Sequence, residues 1–158
     1  MRRLLSILIT LLWGLWFGGL VTLFIAVTSI FAALPGHRDL AGQAAAHVFR
    51  VFNIFQLSLA AAALLATFAW RLKTGPAAPV TAVFSLFAAA TVGACVITLY
   101  IAPEIGRLQH MGLAATPRFA QMHGASMIVY LAETLALLIA GIFLPWRRVT
   151  DSGWRRPD

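Results

Sequence analysis

The sequence predicts an all-α integral membrane protein, a four-helix antiparallel transmembrane bundle. Three observations lead there. Of the 158 residues, 61% are hydrophobic and 11% charged, with a mean hydropathy of +0.87. A soluble domain of this length is closer to half apolar and a quarter charged. The apolar residues fall in four runs, each at least about as long as the ~20 residues that cross a bilayer. Lys and Arg gather at the ends of these runs, as lipid headgroups and the positive-inside rule require.

The first run, Leu4 to Leu34, carries no charge. Met1-Arg2-Arg3 ahead of it has the look of a signal peptide. The run is about twice the usual ~7–15 residue apolar region, so a retained first helix is expected. The second run covers about 44–70 and is broken early by His47, Arg50 and Asn53. "RLKTGPAAP" (71–79) is a basic Pro/Gly turn that cannot stay helical. A third run, about 80–102, is expected to stop at Pro103, and "EIGRLQHMGLAATP" (104–117) reads as a polar connector. The fourth covers about 118–144 and ends in Pro145-Trp146-Arg147-Arg148, an interfacial Trp with a basic stop. Short loops between long helices imply an up-down bundle. One membrane domain over 1–158, with a basic tail at 147–158, is the expected organisation.

The net charge of +7 does not point to nucleic acid, because the cations flank apolar runs instead of forming one patch. Arg2, Arg3, Arg71, Lys73, Arg147, Arg148, Arg155 and Arg156 fall on one side of the bundle; Arg38, Arg50, Arg107 and Arg118 fall on the other. The richer side should be cytoplasmic. This predicts a bacterial cytoplasmic membrane protein with both termini inside. The single Cys95 excludes an internal disulfide. Zinc-type Cys pairs, a phosphate-binding loop and a nucleophile elbow are all missing.

The fourth run contains "MHGASMIVYLAET" (122–134), which is too polar for lipid. At the helical angle per residue, His123, Ser126, Tyr130, Glu133 and Thr134 share an arc of about 100°. Lipid does not tolerate such a stripe, so it should face the interior. Gln43, His47, Arg50 and Asn53, spaced by four, three and three, form a second stripe. With the termini inside, both helices begin at the outer surface, as does the connector with Glu104, Arg107 and His110. His47, Arg50, Asn53, Glu104, Arg107, His123, Ser126, Tyr130 and Glu133 are therefore expected to line an outward-facing vestibule. Glu133 lies ten residues beyond His123, roughly 15 Å at helical rise. It reads as a proton or cation relay, or as a neutral carboxyl bonded to Thr22, Ser58 or Thr91. Arg50 either snorkels to headgroups or pairs with Glu104. Gly14 and Gly18, four apart, and Gly124 are expected to let helices approach closely.

The block "WFGGLVTLFIAVTSIFAALPGHRDLAGQAAAHVFRVFNIF" (16–55), then "LYIAPEIGRL" (99–108) and "FAQMHGASMIVYL" (119–131) carry a family resemblance. In them the chain resembles the transmembrane protein 205-like proteins, whose bacterial members are of the domain-of-unknown-function 4149 type. The resemblance marks Pro103, His123, Gly124 and Ser126. The family commonly has Asn where this chain has Tyr130. It implies a four-helix membrane protein associated with metal or metal-drug tolerance.

Three functions follow. A metal ion or small solute is handled in the vestibule, with Met122-His123 and His110-Met111 offering thioether and imidazole ligands that suit copper(I). Alternatively, the chain is an accessory or scaffold subunit, held in a homo-oligomer or membrane complex by its Gly face. Bis-His haem binding through His47 and His123 is the third. An enzyme is not expected, since neither an oxyanion-hole loop nor a positioned acid accompanies Ser126 and His123.

Overall fold

The computed structural model describes residues 2–75 and 77–151; among them there is no strand. Helix α1 is Arg2–Ala33, α2 Arg38–Thr74, α3 Ala78–Val96, α4 Ala102–His110 and α5 Pro117–Asp151. A π-turn at Ile97–Ile101 joins α3 to α4. Four spans are long and apolar enough to cross a membrane: Leu4–Ala33, Arg38–Thr74, Ala78–His110 and Pro117–Leu144. Of the expected basic tail, residues 152–158 lie outside the described residues.

Two boundaries differ from expectation. Helix α2 starts at Arg38, because its first two turns are Ala-rich and helical despite their polar residues. The third span does not stop at Pro103. Proline sits in the first turn of α4, where a missing N–H is least costly. Just before it the ladder widens, with Ala102 N–H bonding to the Ile97 carbonyl. The helix ends instead after His110. There Gly112, at φ +70°, donates to Gln109 and Leu113 donates to Leu108 at 2.8 Å, a Schellman stop.

Consecutive spans are joined by short turns, so they alternate in direction. Helix α1 packs on α2, α2 on α3, α3 on α5 and α5 on α1. Helices α2 and α5 therefore lie diagonally and run in the same direction. Ile9, Leu12, Trp16, Leu20 and Leu23 form the buried stripe of α1, at the three-and-four spacing of a core face. The Trp16 ring stacks on Phe87 at 6.3 Å across the middle of the bundle. Helix α2 presents Ala60, Ala63 and Ala66 to the core, small residues that admit close neighbours. Outside, Leu4, Ile7, Leu11, Ile54, Leu65, Leu131 and Ile142 are exposed. In water that surface would aggregate; in lipid it is matched.

Between α1 and α5, Trp13 Nε1 donates to the Leu137 carbonyl at 2.7 Å while its ring lies against Gly141. The other close approaches are Gly19 under the Phe52 ring and Gly93 under Glu133. At Gly14, Gly18 and Gly124 an added Cβ would meet nothing within 4 Å. Those three do not mark close helix contacts in this bundle; for Gly14 and Gly18 the reason is that the small-residue face of α1 turns outward from the Trp16 stripe.

Candidate functional site

Two layers of polar side chains cross the core between α2 and α5. In the first, Tyr130 Oη donates to Asn53 Oδ1 at 2.7 Å, with both residues buried. The Tyr130 ring is held edge-on by Phe24 at 6.4 Å and tilted against Phe49 at 5.6 Å. Above this layer Ser126, also buried, turns its hydroxyl back to the His123 carbonyl at 2.7 Å.

The second layer lies one helical turn further along. Because α2 and α5 run the same way, three residues past Asn53 and three past Tyr130 reach the same level, ~4.5 Å on. Those residues are Gln56, 0% exposed, and Glu133, 2% exposed. Neither the Gln56 amide nor the Glu133 carboxyl has a hydrogen-bond partner. The Trp16 indole N–H, on the facing helix, is likewise buried and unbonded, as are the Thr81 and Thr98 hydroxyls. Gly93 makes room for the carboxyl: an ideal Cβ there would stand 2.8 Å from Glu133 Cγ and 2.9 Å from Oε1.

The sequence offered Thr22, Ser58 and Thr91 as partners for Glu133. Ser58 donates to the Ile54 carbonyl and Thr91 to the Phe87 carbonyl, each within its own helix, and Thr22 is exposed. Hydroxyls in helices commonly satisfy themselves on the preceding turn in this way.

The remaining expected residues are placed as follows. Asn53, Ser126, Tyr130 and Glu133 come together inside, with Thr134 half-buried beside them. His47, Arg50 and His123 are exposed. Two successive steps of three residues, His47 to Arg50 to Asn53, rotate the face by roughly 120°. Asn53 consequently faces the core while His47 points away from it. His123 sits at the edge of the α5 stripe and stacks on Phe119 at 6.1 Å. Glu104 bonds Arg107 at 2.8 and 2.9 Å and lies 3.6 Å from Arg118, tying α4 to α5 at the surface. Its ion pairs among the described residues are these, so Arg50 is not its partner. Exposed His110 and Met111 lie nearby, where Met111 Sδ accepts from Arg107 at 3.2 Å. Met122 is half-buried. Among the described residues no group of three or more His, Cys, Asp or Glu side chains is placed to hold a metal.

Sequence reasoning passed over Gln56, Trp16 and Gly93. Gln56 continues the three-residue steps through Arg50 and Asn53, so one more step along α2 would have found it. Gly93 carries no such signal, since its role depends on the neighbouring helix.

A lipid-facing surface, four spans and a buried polar pair of layers define an integral membrane helical bundle. A family model described as "Domain of unknown function (DUF4149)" matches residues 11–114, and the chain belongs to that family. The match runs from α1 to the turn after α4; Tyr130 and Glu133 lie beyond it. No curated protein and no solved structure matches the chain.

Proposed function

We propose that this protein handles a small cation or solute in the membrane, admitted along the interior face shared by α2 and α5. The observation behind this reading is Glu133. It is 2% exposed within an apolar span, and neither of its oxygens is bonded. A buried polar group without a partner costs roughly 2–7 kcal/mol. An ionisable group inside a span is by default a functional one, because lipid selects against it otherwise. Ser126 and the Asn53–Tyr130 pair lead to Glu133 from the end carrying turns 34–37 and 111–116.

The Lys and Arg bias makes that end the outside, with both termini in the cytoplasm of a bacterial cell. The transmembrane protein 205-like resemblance belongs to this reading, and with it metal as one candidate cargo. Copper at the Met-His pairs and haem between His47 and His123 have weaker support, because those histidines are exposed and away from the polar layers.

The test is flux into proteoliposomes of the full chain, with protons, sodium and copper(I) as probes. One of them should cross faster than in protein-free vesicles, and Glu133→Gln should abolish the difference. Rates equal to protein-free vesicles for all three would refute the proposal.

A further inference from the structure

We infer that Glu133 and Gln56 form a proton-exchange site inside the membrane, opened toward the 34–37 and 111–116 end through Tyr130 and Asn53. The inference rests on the polar layers described above and names what the second of them binds. Both Glu133 oxygens and both Gln56 polar atoms lack partners, and so does the Trp16 indole nitrogen on the facing helix. Their chemistry is complementary. A protonated carboxyl offers one O–H and one carbonyl, and a primary carboxamide offers N–H and a carbonyl in return. Once the proton leaves, the carboxylate becomes an acceptor only, and the Gln56 and Trp16 N–H groups are the donors at hand. The site thus has groups suited to both states of the carboxyl.

No countercharge competes with the proton. Among the described residues, α1 presents no titratable group between Leu4 and Ala33, nor does α2 between Val51 and Trp70. Helix α3 brings only the half-buried Cys95, two residues from Gly93. Helix α5 brings Tyr130, which already donates to Asn53. The nearest cation along α2 is Arg50, exposed and roughly 9 Å from the level of Gln56 at helical rise. An isolated carboxylate in such a setting is strongly disfavoured, so the neutral acid is the resting form.

The step itself is a proton transfer. The Glu133 O–H bond breaks, its electron pair stays on the carboxylate, and a water that enters past Ser126 and Tyr130 as far as the carboxyl accepts the proton. The reverse step restores the acid. Gly93 leaves room for the carboxyl, since any Cβ there would stand 2.9 Å from its Oε1.

Infrared spectroscopy of the full chain in lipid nanodiscs tests this without any gradient. The chain has five acidic residues; of the other four, Asp39 stands in the first turn of its span, Glu104 near the end of its span and ion-paired with Arg107, and Asp151 and Asp158 follow the last span in the sequence. At neutral pH a carbonyl band of a neutral carboxylic acid should appear in wild type and be missing in Glu133→Gln. On transfer to D2O the band should shift as the site exchanges. Tyr130→Phe should slow that shift by up to about an order of magnitude, the factor that one lost hydrogen bond implies.

Absence of the wild-type band would overturn the inference, as would a band that never shifts in D2O. Both readings use the wild-type chain, so a variant that fails to fold does not remove the test. Exchange as described, with no cation flux in vesicles, would leave the site standing and remove the transport reading.

Discussion

Gly141→Ala is the sharpest test of how the bundle is assembled. An ideal Cβ at Gly141 falls on the Trp13 indole: it collides with Cζ2, reaches Cε2 at 2.7 Å and Nε1 at 3.0 Å. Carbon pairs rest at roughly 3.5–4.0 Å, so the ring must move by about 1 Å. Two contacts oppose that movement. The ring is stacked on Phe17 at 5.6 Å, and its N–H is bonded to the Leu137 carbonyl at 2.7 Å. Overpacking of this kind costs about 1–3 kcal/mol, and the lost hydrogen bond adds about 0.5–1.5 kcal/mol. Replacing glycine in a helix returns at most about 1 kcal/mol. The net expectation is destabilisation by about 0.5–3.5 kcal/mol, taking these three together. Reversible unfolding in mixed detergent micelles, followed by circular dichroism, measures it. Gly14→Ala is the control, since nothing stands within 4 Å there, and it should be neutral or slightly stabilising. A smaller ring should relieve the clash, so Gly141→Ala on a Trp13→Phe background should lose much less. Equal stability of Gly141→Ala and Gly14→Ala, or equal losses on both backgrounds, would refute the reasoning.

Two further outcomes follow from the polar contacts. Asn53→Leu and Tyr130→Phe each leave one buried group without its partner, whereas the double variant removes both. A double-mutant cycle in micelles should give a coupling of about 0.6 kcal/mol, with ~1.7 kcal/mol as the upper end for such bonds in membranes; zero coupling would mean the 2.7 Å bond contributes nothing. Glu104→Gln breaks an ion pair whose Arg107 partner is more than half exposed. Its effect on the unfolding midpoint should be small and should vanish at high salt. A large, salt-independent loss would contradict that.

The four spans were legible in the sequence because long charge-free runs have no other use, as Leu4–Leu34 illustrates. The spans' ends were not. Pro103 reads as a stop in isolation, yet a π-turn ahead of it lets the helix continue to His110. The inward stripe of α5 was legible for Ser126, Tyr130 and Glu133, because three polar residues within one arc cannot all face lipid. For α2 the same reasoning carried only Asn53 inward. Steps of three drift around the helix, and a wheel does not say which end of the drift meets the core. The buried Ala41, Ala45 and Leu59 decide it. The glycines were the least legible. Gly14 and Gly18 have the spacing of a packing motif, but Gly93 and Gly141 touch their neighbours, and that depends on the register of α5 against α3 and α1.

That register also separates the two polar layers in kind. Asn53 and Tyr130 complete one another at 2.7 Å, so the polarity of their layer has a structural use whatever else passes it: it fixes α2 against α5. One turn on, the same register brings Gln56 and Glu133 to a common level and bonds neither. If polarity served only to set the register, the second layer would be redundant, and apolar residues there would hold the bundle at lower free energy. Gly93 adds to the contrast, since it creates space for a carboxyl that structure has no need of. The function is therefore to be sought in the layer whose bonds are incomplete, and Glu133 is the one residue there able to change its charge.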